Sequence, residues 1–154
     1  MRHPINTNFN YNGASPALDA RSLDLRIRIV RMVEASGRGH VGSALSLVEM
    51  LRVLYDDVLR YDASNPRWED RDRFILSKGH GCLALYVLLA EKGFFPESEL
   101  QQVGKKEGIL GGHPETTVPG IEVSTGALGH GLSFGVGFAL NARFRKAEHR
   151  IFVV

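Results

Sequence analysis

Four of the six histidines in this chain directly follow a glycine: His40, His80, His113 and His130. Glycine lets the backbone approach a ligand closely, so a loop of this kind can present an imidazole to a cavity. An imidazole titrates near neutral pH and can pass protons or hydrogen-bond to hydroxyl groups. The four pairs therefore predict loops that converge on one catalytic or binding cavity.

The last of these pairs lies in a glycine-rich segment, Ser124–Gly137, that leads directly into an apolar helical stretch. The segment contains five glycines in fourteen residues. Free backbone N–H groups in such a loop, together with the N-terminus of the following helix, can bind an anionic group. The pattern favours a cofactor with an anionic tail. A glycine-rich helix start that serves only close packing remains the alternative.

Composition narrows the classes of protein. A chain of 154 residues with 44% hydrophobic and 23% charged residues is typical of a single globular domain. A net charge of +2, with basic and acidic residues interleaved, gives no indication of nucleic-acid binding. The single cysteine, Cys82, excludes an internal disulfide and favours a reducing compartment, which we interpret as the cytoplasm. Residues 1–15 are interpreted as a flexible polar lead-in, and no apolar stretch reaches the roughly 18 residues of a membrane span.

The hydrophobic pattern predicts an alternation of helices and short strands. Leu23, Ile27 and Val30 follow the helical period in the first helix. The helices are predicted at about Pro16–Ala35, from Ser43 or Ser46 to Leu59, at Cys82–Lys92, in a short segment from Pro96, and at Leu132–Lys146. The strands are predicted at Arg73–Ser77 and Ile151–Val154. We expect the helix from Cys82 to be interior, because it is apolar nearly all round. The predicted fold class is α/β, a mostly parallel sheet sandwiched by helices with the four Gly-His loops on one edge.

Four motifs, in this order along the chain, resemble the N-terminal, diphosphate-binding domain of the transketolases, which are thiamine diphosphate enzymes. The motifs are Ser36–Gly42, Leu76–His80, Gly112–Glu115 and Thr125–Gly131. The resemblance covers about residues 23–154 and is greatest to versions whose N-terminal half is a separate subunit. It implies the N-terminal part of a thiamine diphosphate-binding fold over residues 16–154. It also implies transfer of a two-carbon ketol unit from a ketose (phosphate) to an aldose (phosphate).

The resemblance implies roles for individual residues. His40 and His113 would be catalytic and face the sugar, with His113 near its terminal hydroxyl and His40 near the hydroxyl whose proton leaves on cleavage. The cofactor would be bound by His80 and by five loop residues, Gly126, Ala127, Leu128, Gly129 and His130. His130 departs from the family pattern, since full-length transketolases usually carry glutamine there. This departure leaves open which donor and acceptor sugars the enzyme prefers.

The resemblance also implies Mg²⁺ beside the diphosphate, held by a Gly-Asp-Gly-Glu stretch and a later asparagine. That stretch should follow Val154, so we expect no metal ligand in this chain and a fold that is incomplete at its C-terminus. The implied partner is a C-terminal pyrimidine-binding subunit or domain, in a homodimer or heterotetramer. Sugar (phosphate) substrates place the enzyme in carbohydrate metabolism, with the pentose phosphate pathway as the expected setting. Neither nucleic acid nor a membrane is an expected partner.

Several alternatives remain. Within the thiamine enzymes these are a deoxyxylulose-phosphate synthase and a sulfo-sugar transketolase, and outside catalysis a non-catalytic fragment or binding half. A metallohydrolase is disfavoured, because no two histidines have the His-x-x-x-His spacing of a helical zinc site and because Gly-His loops do not preset tetrahedral ligands. A dinucleotide-binding domain is disfavoured, because Gly126, Gly129 and Gly131 do not have the Rossmann spacing.

Overall fold

The computed structural model describes residues 18–154. These residues form five α-helices and two β-strands: α1 (Ala20–Ser36), α2 (Val41–Leu45), α3 (Val48–Val53), α4 (Cys82–Glu91), α5 (His130–Phe144), β1 (Arg73–Ile75) and β2 (Ile151–Val153). A π-helical turn covers Leu54–Val58, and 3₁₀ turns cover Gly79–Gly81 and Glu97–Gln102, the latter being the short helix predicted from Pro96. The predicted lead-in, residues 1–15, and the predicted helix start at Pro16 lie outside the described residues. No helix in residues 18–154 is long and apolar enough to cross a membrane.

Helix α1 begins at a side-chain cap and ends at a glycine. Asp19 Oδ1 accepts a hydrogen bond of 2.7 Å from the Ser22 N–H, and Gly37 ends the helix with a left-handed φ of 67°. The buried face carries Leu25, Ile29 and Met32, whereas Leu23, Ile27 and Val30, on which the helix was predicted, are 41–51% exposed. At 100° per residue the two stripes lie about 200° apart, on roughly opposite sides. The periodicity therefore identified the helix but not the face that it buries.

A single helix from Ser43 to Leu59 is wrong, because the chain breaks there into α2, α3 and the π-helical turn, whereas the alternative start at Ser46 lies two residues before α3. At the break Ser46 Oγ donates 2.9 Å to the Ser43 carbonyl, and the Leu47 N–H bonds the Ala44 carbonyl at 3.0 Å. A short hydroxyl side chain that bonds nearby carbonyls competes with the helical hydrogen-bond ladder, which accounts for the turn. The apolar face survives the break in part, since Leu47 and Leu51 are still buried.

Helix α4 lies at the centre of the helical core. Every residue from Cys82 to Ala90 is buried, which confirms the predicted interior position. Helices α1, α2 and α3 all pack against it. The helix follows directly on the 3₁₀ turn after β1, so the chain passes from the strand through a glycine-histidine turn into the most buried element of the fold.

The two strands are parallel and hydrogen-bonded to each other, with Phe74 opposite Phe152 and Ile75 opposite Val153. Because side chains alternate along a strand, these two pairs point to opposite faces. Phe74 packs against Tyr55 in the helical core, with ring centroids 5.6 Å apart, whereas Val153 lies directly against Gly135 of α5. Helices thus cover both faces of a small parallel sheet. The predicted α/β class is confirmed, and each described strand is shorter than predicted.

A buried carboxylate joins the beginnings of the two strands. Asp72 precedes β1 and Arg150 precedes β2. Asp72 Oδ1 accepts 2.8 Å from the Arg150 N–H, while Oδ2 accepts 2.6 Å from Arg150 Nη2 and 2.9 Å from the Arg60 N–H. This pairing holds the beginnings of the two strands in register. It therefore also fixes the position of the loop that follows the carboxyl end of β1.

Candidate active site

The first part of the site is the turn after the carboxyl end of β1. Here the chain passes through Lys78 into the 3₁₀ turn that carries His80. A Cβ atom at Gly79 would lie 2.8 Å from Thr125 Oγ1 and 2.9 Å from the Thr125 carbonyl carbon, so only glycine allows this approach. The same Thr125 hydroxyl donates a buried hydrogen bond of 2.7 Å to the Leu76 carbonyl. Thr125 therefore ties the glycine-rich loop to the His80 turn.

Helix α4 and Thr125 fix the loop that carries His113. The Tyr86 hydroxyl donates a hydrogen bond of 2.6 Å to the His113 carbonyl, and the Cys82 thiol donates one of 3.3 Å to the Gly112 carbonyl. The Thr125 N–H donates 3.2 Å to the Pro114 carbonyl. Sequence reasoning missed Tyr86 and Thr125 as positioning residues. The signal available for Tyr86 was its phenol in a helix that is otherwise almost entirely apolar.

His40 approaches from a third direction, at the N-terminus of α2. Gly39 before it has a φ of 150°, and a Cβ there would lie 2.8 Å from Leu83 Cδ1 of α4. The backbone at Gly39 is thus packed directly onto the central helix. His40 itself is exposed, so it lies on the open side of the site.

The three loops bring His40, His80 and His113 together, and we call these residues the three-histidine cluster. Ring centroids are 4.7 Å apart for His40 and His80, 4.8 Å for His80 and His113, and 6.1 Å for His40 and His113. One ring nitrogen from each histidine lies within 4.8 Å of the other two. Nδ1 of His80 is buried and has no hydrogen-bond partner among residues 18–154. The cluster therefore offers convergent nitrogen atoms and one unpaired buried polar atom.

The cluster favours a neutral imidazole at His113. Burial lowers the pKa of His113 below its usual value, and the neighbouring His80 and His40 lower it further by repelling the charged form. A neutral imidazole carries one donor and one acceptor nitrogen. His113 can therefore accept a proton or a hydrogen bond from a hydroxyl group.

The fourth Gly-His pair lies beside this cluster but is not part of it. Gly129 has a left-handed φ of 89° and starts α5 at His130, whose side chain is exposed. The next residue, Gly131, packs on Ser77, two residues after β1, and a Cβ at Gly131 would lie 2.6 Å from Ser77 Cα. The N-terminus of α5 thus lies next to the His80 turn, while the imidazole of His130 does not join the other three.

The other predicted loop residues differ in their exposure. Gly126 is half-buried, and a Cβ there would lie 3.5 Å from Cδ2 of the His113 ring. Ala127, Leu128 and Gly129 are exposed, with Leu128 67% exposed. The glycine-rich loop therefore touches the cluster at Gly126 and then runs along the surface to α5.

Residues 20–151 match a protein-family model described as the transketolase, thiamine diphosphate binding domain. The chain belongs to the transketolase family. One relative, a subunit of the apulose-4-phosphate transketolase of Phocaeicola vulgatus, is 45% identical over 137 residues, which is 89% of this chain and 49% of that protein. The transketolase of Mus musculus is 41% identical over 129 residues, 83% of this chain and 21% of that one. The chain thus spans about half of the bacterial subunit and about a fifth of the longer transketolase.

Solved transketolase structures are similar in fold. The transketolase of Pichia stipitis in complex with sedoheptulose 7-phosphate has a TM-score of 0.80 at 33% identity, over 86% of this chain and 21% of that one. The transketolase of Leishmania mexicana has a TM-score of 0.78 at 33% identity, over 86% and 22% of the respective chains. The family and the α/β fold predicted from the sequence are both confirmed.

The residues of the site fit a cofactor of the type that this transketolase domain binds. A diphosphate needs hydrogen-bond donors, and two sources lie side by side. His80 has a buried ring nitrogen without a partner among the described residues, and the N-terminus of α5, which follows the N-cap Gly129, provides the positive end of the helix dipole. At Gly126 the backbone lies beside the His113 ring with no side chain between them. The donors and the glycine backbone therefore suit an anionic group near His80 and α5.

Proposed function

We propose that this chain forms the diphosphate-binding side of a transketolase active site, with residues 16–154 as the N-terminal part of that domain. The activity is the transfer of a two-carbon ketol unit from a ketose phosphate to an aldose phosphate. The observation that carries the proposal is the convergence of His40, His80 and His113 beside the N-terminus of α5. The relatives from Phocaeicola vulgatus and Mus musculus support it, because each is a transketolase or one of its subunits.

The proposed cofactor contacts divide between two elements. His80 would donate to the diphosphate from the turn after β1, and the N-terminus of α5 would add the positive end of its dipole. Gly126, Ala127, Leu128 and Gly129 would contact the cofactor through their backbone, with the side chain of His130 at the rim of the site. When bound, thiamine diphosphate supplies the carbanion and the electron sink for cleavage of a carbon–carbon bond.

The proposed sugar contacts are His113 and His40. His113, with a pKa lowered by burial, would hydrogen-bond the terminal hydroxyl of the sugar and orient its carbonyl. His40, on the open side, would accept the proton of the hydroxyl beside the breaking bond and later return a proton to the acceptor oxygen. A positioned general base of this kind contributes about 10²–10⁴-fold to a rate.

A divalent metal is part of the proposal, with Mg²⁺ beside the diphosphate. Mg²⁺ prefers oxygen ligands in octahedral geometry and keeps several waters. The cluster of candidate ligands found within residues 18–154 consists of three imidazoles, which suit other metals. We therefore assign the proposed Mg²⁺ to oxygen ligands outside the three-histidine cluster.

A partner subunit or domain is proposed from the surface of α5. Leu132, Val136, Leu140 and Phe144 recur every four residues along this helix and are 53–90% exposed. An apolar stripe of this kind is typical of an interface. A pyrimidine-binding subunit or domain would cover it and hold the cofactor across the interface of a homodimer or heterotetramer. The Phocaeicola vulgatus relative supports a partner, since its name describes one part of an assembly.

The cellular setting is also a proposal. Cys82 is the one cysteine of the chain, and burial raises the pKa of its thiol to about 11, so it is a poor nucleophile. A buried free thiol is compatible with a reducing compartment, and we propose the cytoplasm. Sugar phosphate substrates would place the reaction in the pentose phosphate pathway or in a related route.

The test is a transfer assay on the chain assembled with its candidate pyrimidine-binding partner, thiamine diphosphate and Mg²⁺. Sedoheptulose 7-phosphate and apulose 4-phosphate serve as alternative donors, and mass spectrometry follows an aldose phosphate acceptor. We expect the acceptor to gain two carbons, and we expect His40→Ala to slow this gain by about 10²–10⁴-fold. The matched control is His149→Ala, since His149 lies outside the three-histidine cluster. An assembly that binds thiamine diphosphate but transfers no carbon from either donor would contradict the proposed activity.

A further inference from the structure

The three-histidine cluster has the composition of a transition-metal site. His40, His80 and His113 each contribute a ring nitrogen, and these atoms lie within 4.8 Å of one another. Imidazole nitrogen suits zinc, copper, nickel and cobalt, whereas magnesium and calcium prefer oxygen. Three histidines with one open position form a known type of zinc site. Sequence spacing could not reveal this set, because each ligand comes from a different loop.

We propose that His40, His80 and His113 bind one divalent cation of the zinc class through three imidazole nitrogens, with water in the remaining position. This ion is distinct from the Mg²⁺ assigned to the diphosphate, because the ligand atoms are nitrogen. The proposal rests on the placement of these side chains and not on the proposed function.

The geometry needs only small movements to close on an ion. Tetrahedral coordination with metal–nitrogen bonds of about 2.0–2.1 Å separates the ligand nitrogens by about 3.4 Å. The observed limit of 4.8 Å therefore has to shrink by about 1.4 Å at most. His40 is exposed at the start of α2, so its side chain can make this adjustment without disturbing the core. The His80 turn and the His113 loop, tied to each other through Thr125, supply the fixed side of the site.

The local environment also favours an ion. Nδ1 of His80 is buried without a partner within residues 18–154, and leaving a buried polar atom unpaired costs free energy. Ligation through this nitrogen would give it a partner. Because His40 is exposed, the fourth position opens to solvent, where a water ligand can enter. If the transketolase function also holds, the ion takes the nitrogens assigned to the sugar and the cofactor, and zinc-class metals inhibit the enzyme.

The experiment uses the full chain, stripped of metal by a chelator and dialysed, with no thiamine diphosphate present. Co²⁺ is titrated as the spectroscopic probe for zinc, and the visible absorption of four-coordinate cobalt is recorded. We expect one equivalent to bind and to give the intense absorption of a four-coordinate site. We expect His40→Ala and His113→Ala to weaken binding by more than about 100-fold, since loss of a hydrogen-bonding neighbour of a ligand alone costs 10–100-fold.

Two controls keep the result interpretable. His149→Ala removes a histidine outside the cluster and should leave the cobalt spectrum unchanged. Circular dichroism checks that each variant is folded, and His40→Ala is the decisive variant because its side chain is exposed. No binding at all, the weak spectrum of six-coordinate cobalt, or binding of equal affinity in folded His40→Ala would each overturn the proposal. The absence of thiamine diphosphate makes these outcomes independent of the transfer assay.

Discussion

Thr125 is the residue whose replacement should loosen the candidate active site most directly without removing a histidine. Its hydroxyl donates 2.7 Å to the Leu76 carbonyl, and its N–H donates 3.2 Å to the Pro114 carbonyl. It therefore links the end of β1, the His113 loop and the glycine-rich loop. Thr125→Val removes the hydroxyl and keeps the side-chain shape, while Thr125→Ser keeps the hydroxyl and removes the methyl group. A comparison of these two variants separates the contribution of the hydrogen bond to stability from the contribution of methyl packing.

The structure predicts which of the two substitutions destabilises the protein more. Thr125→Val leaves the buried Leu76 carbonyl without its side-chain donor, which costs about 1–3 kcal/mol. Thr125→Ser deletes one buried methyl group, which costs about 0.8 kcal/mol. We therefore expect the valine variant to be less stable than the serine variant by about 1 kcal/mol.

The assay is urea unfolding of the full chain, followed by far-ultraviolet circular dichroism, with the free energy of unfolding taken from linear extrapolation. The wild-type chain and both variants are compared at one protein concentration, so that any self-association affects them equally. Equal m-values show that the same surface is exposed on unfolding in each. A valine variant as stable as the serine variant, or more stable, would refute the assignment of Thr125 as the hydrogen-bonded link between the loops.

The histidines, the strand starts and the surface of α5 each give a further prediction. In the assembled enzyme His113→Ala should lower kcat about 10²–10⁴-fold with cofactor affinity nearly unchanged, whereas His80→Ala should weaken cofactor binding. Steady-state kinetics that show the opposite pattern would contradict these roles. Asp72→Asn should cost about 2 kcal/mol at pH 7, because its buried carboxylate accepts charged hydrogen bonds from Arg150. Burial raises the pKa of Asp72, but the hydrogen bonds from Arg150 and Arg60 outweigh burial and hold the pKa below 3.8. The stabilisation by the carboxylate is therefore present above pH 3.8 and is lost as the pH falls through the pKa of the folded state. Urea unfolding at successively lower pH should show the difference between Asp72→Asn and the wild type shrinking, and a difference that does not shrink contradicts the ion pair. Phe144→Glu, at a side chain 90% exposed, should reduce association in sedimentation velocity without changing stability, and unchanged association argues against the stripe as an interface.

The elements that could be predicted are those in which one physical signal dominates. The interior position of α4 follows from apolar residues on all sides, and β2 follows from a short β-branched run. The sequence offered Ser46 only as one of two alternative helix starts, because the break there depends on a hydroxyl that bonds a carbonyl within its own turn. The buried side of α1 could not be predicted either, since the helix carries two apolar stripes and only its packing against α4 decides between them.

The four Gly-His pairs look alike in the sequence, but their glycines serve different physical purposes. Gly79 allows the His80 turn to pack against the backbone of Thr125, whereas Gly129 supplies the left-handed φ that starts α5. Close packing at Gly79 accompanies the inward placement of His80. Gly112, however, has open space around it, and the His113 loop is held instead by hydrogen bonds from Tyr86 and Thr125. A left-handed residue before a helix only sets the direction of that helix, and His130 stays exposed. A Gly-His pair therefore predicts a loop histidine at a site, but whether the imidazole joins the cluster depends on the contacts that hold its loop, which the dipeptide alone does not encode.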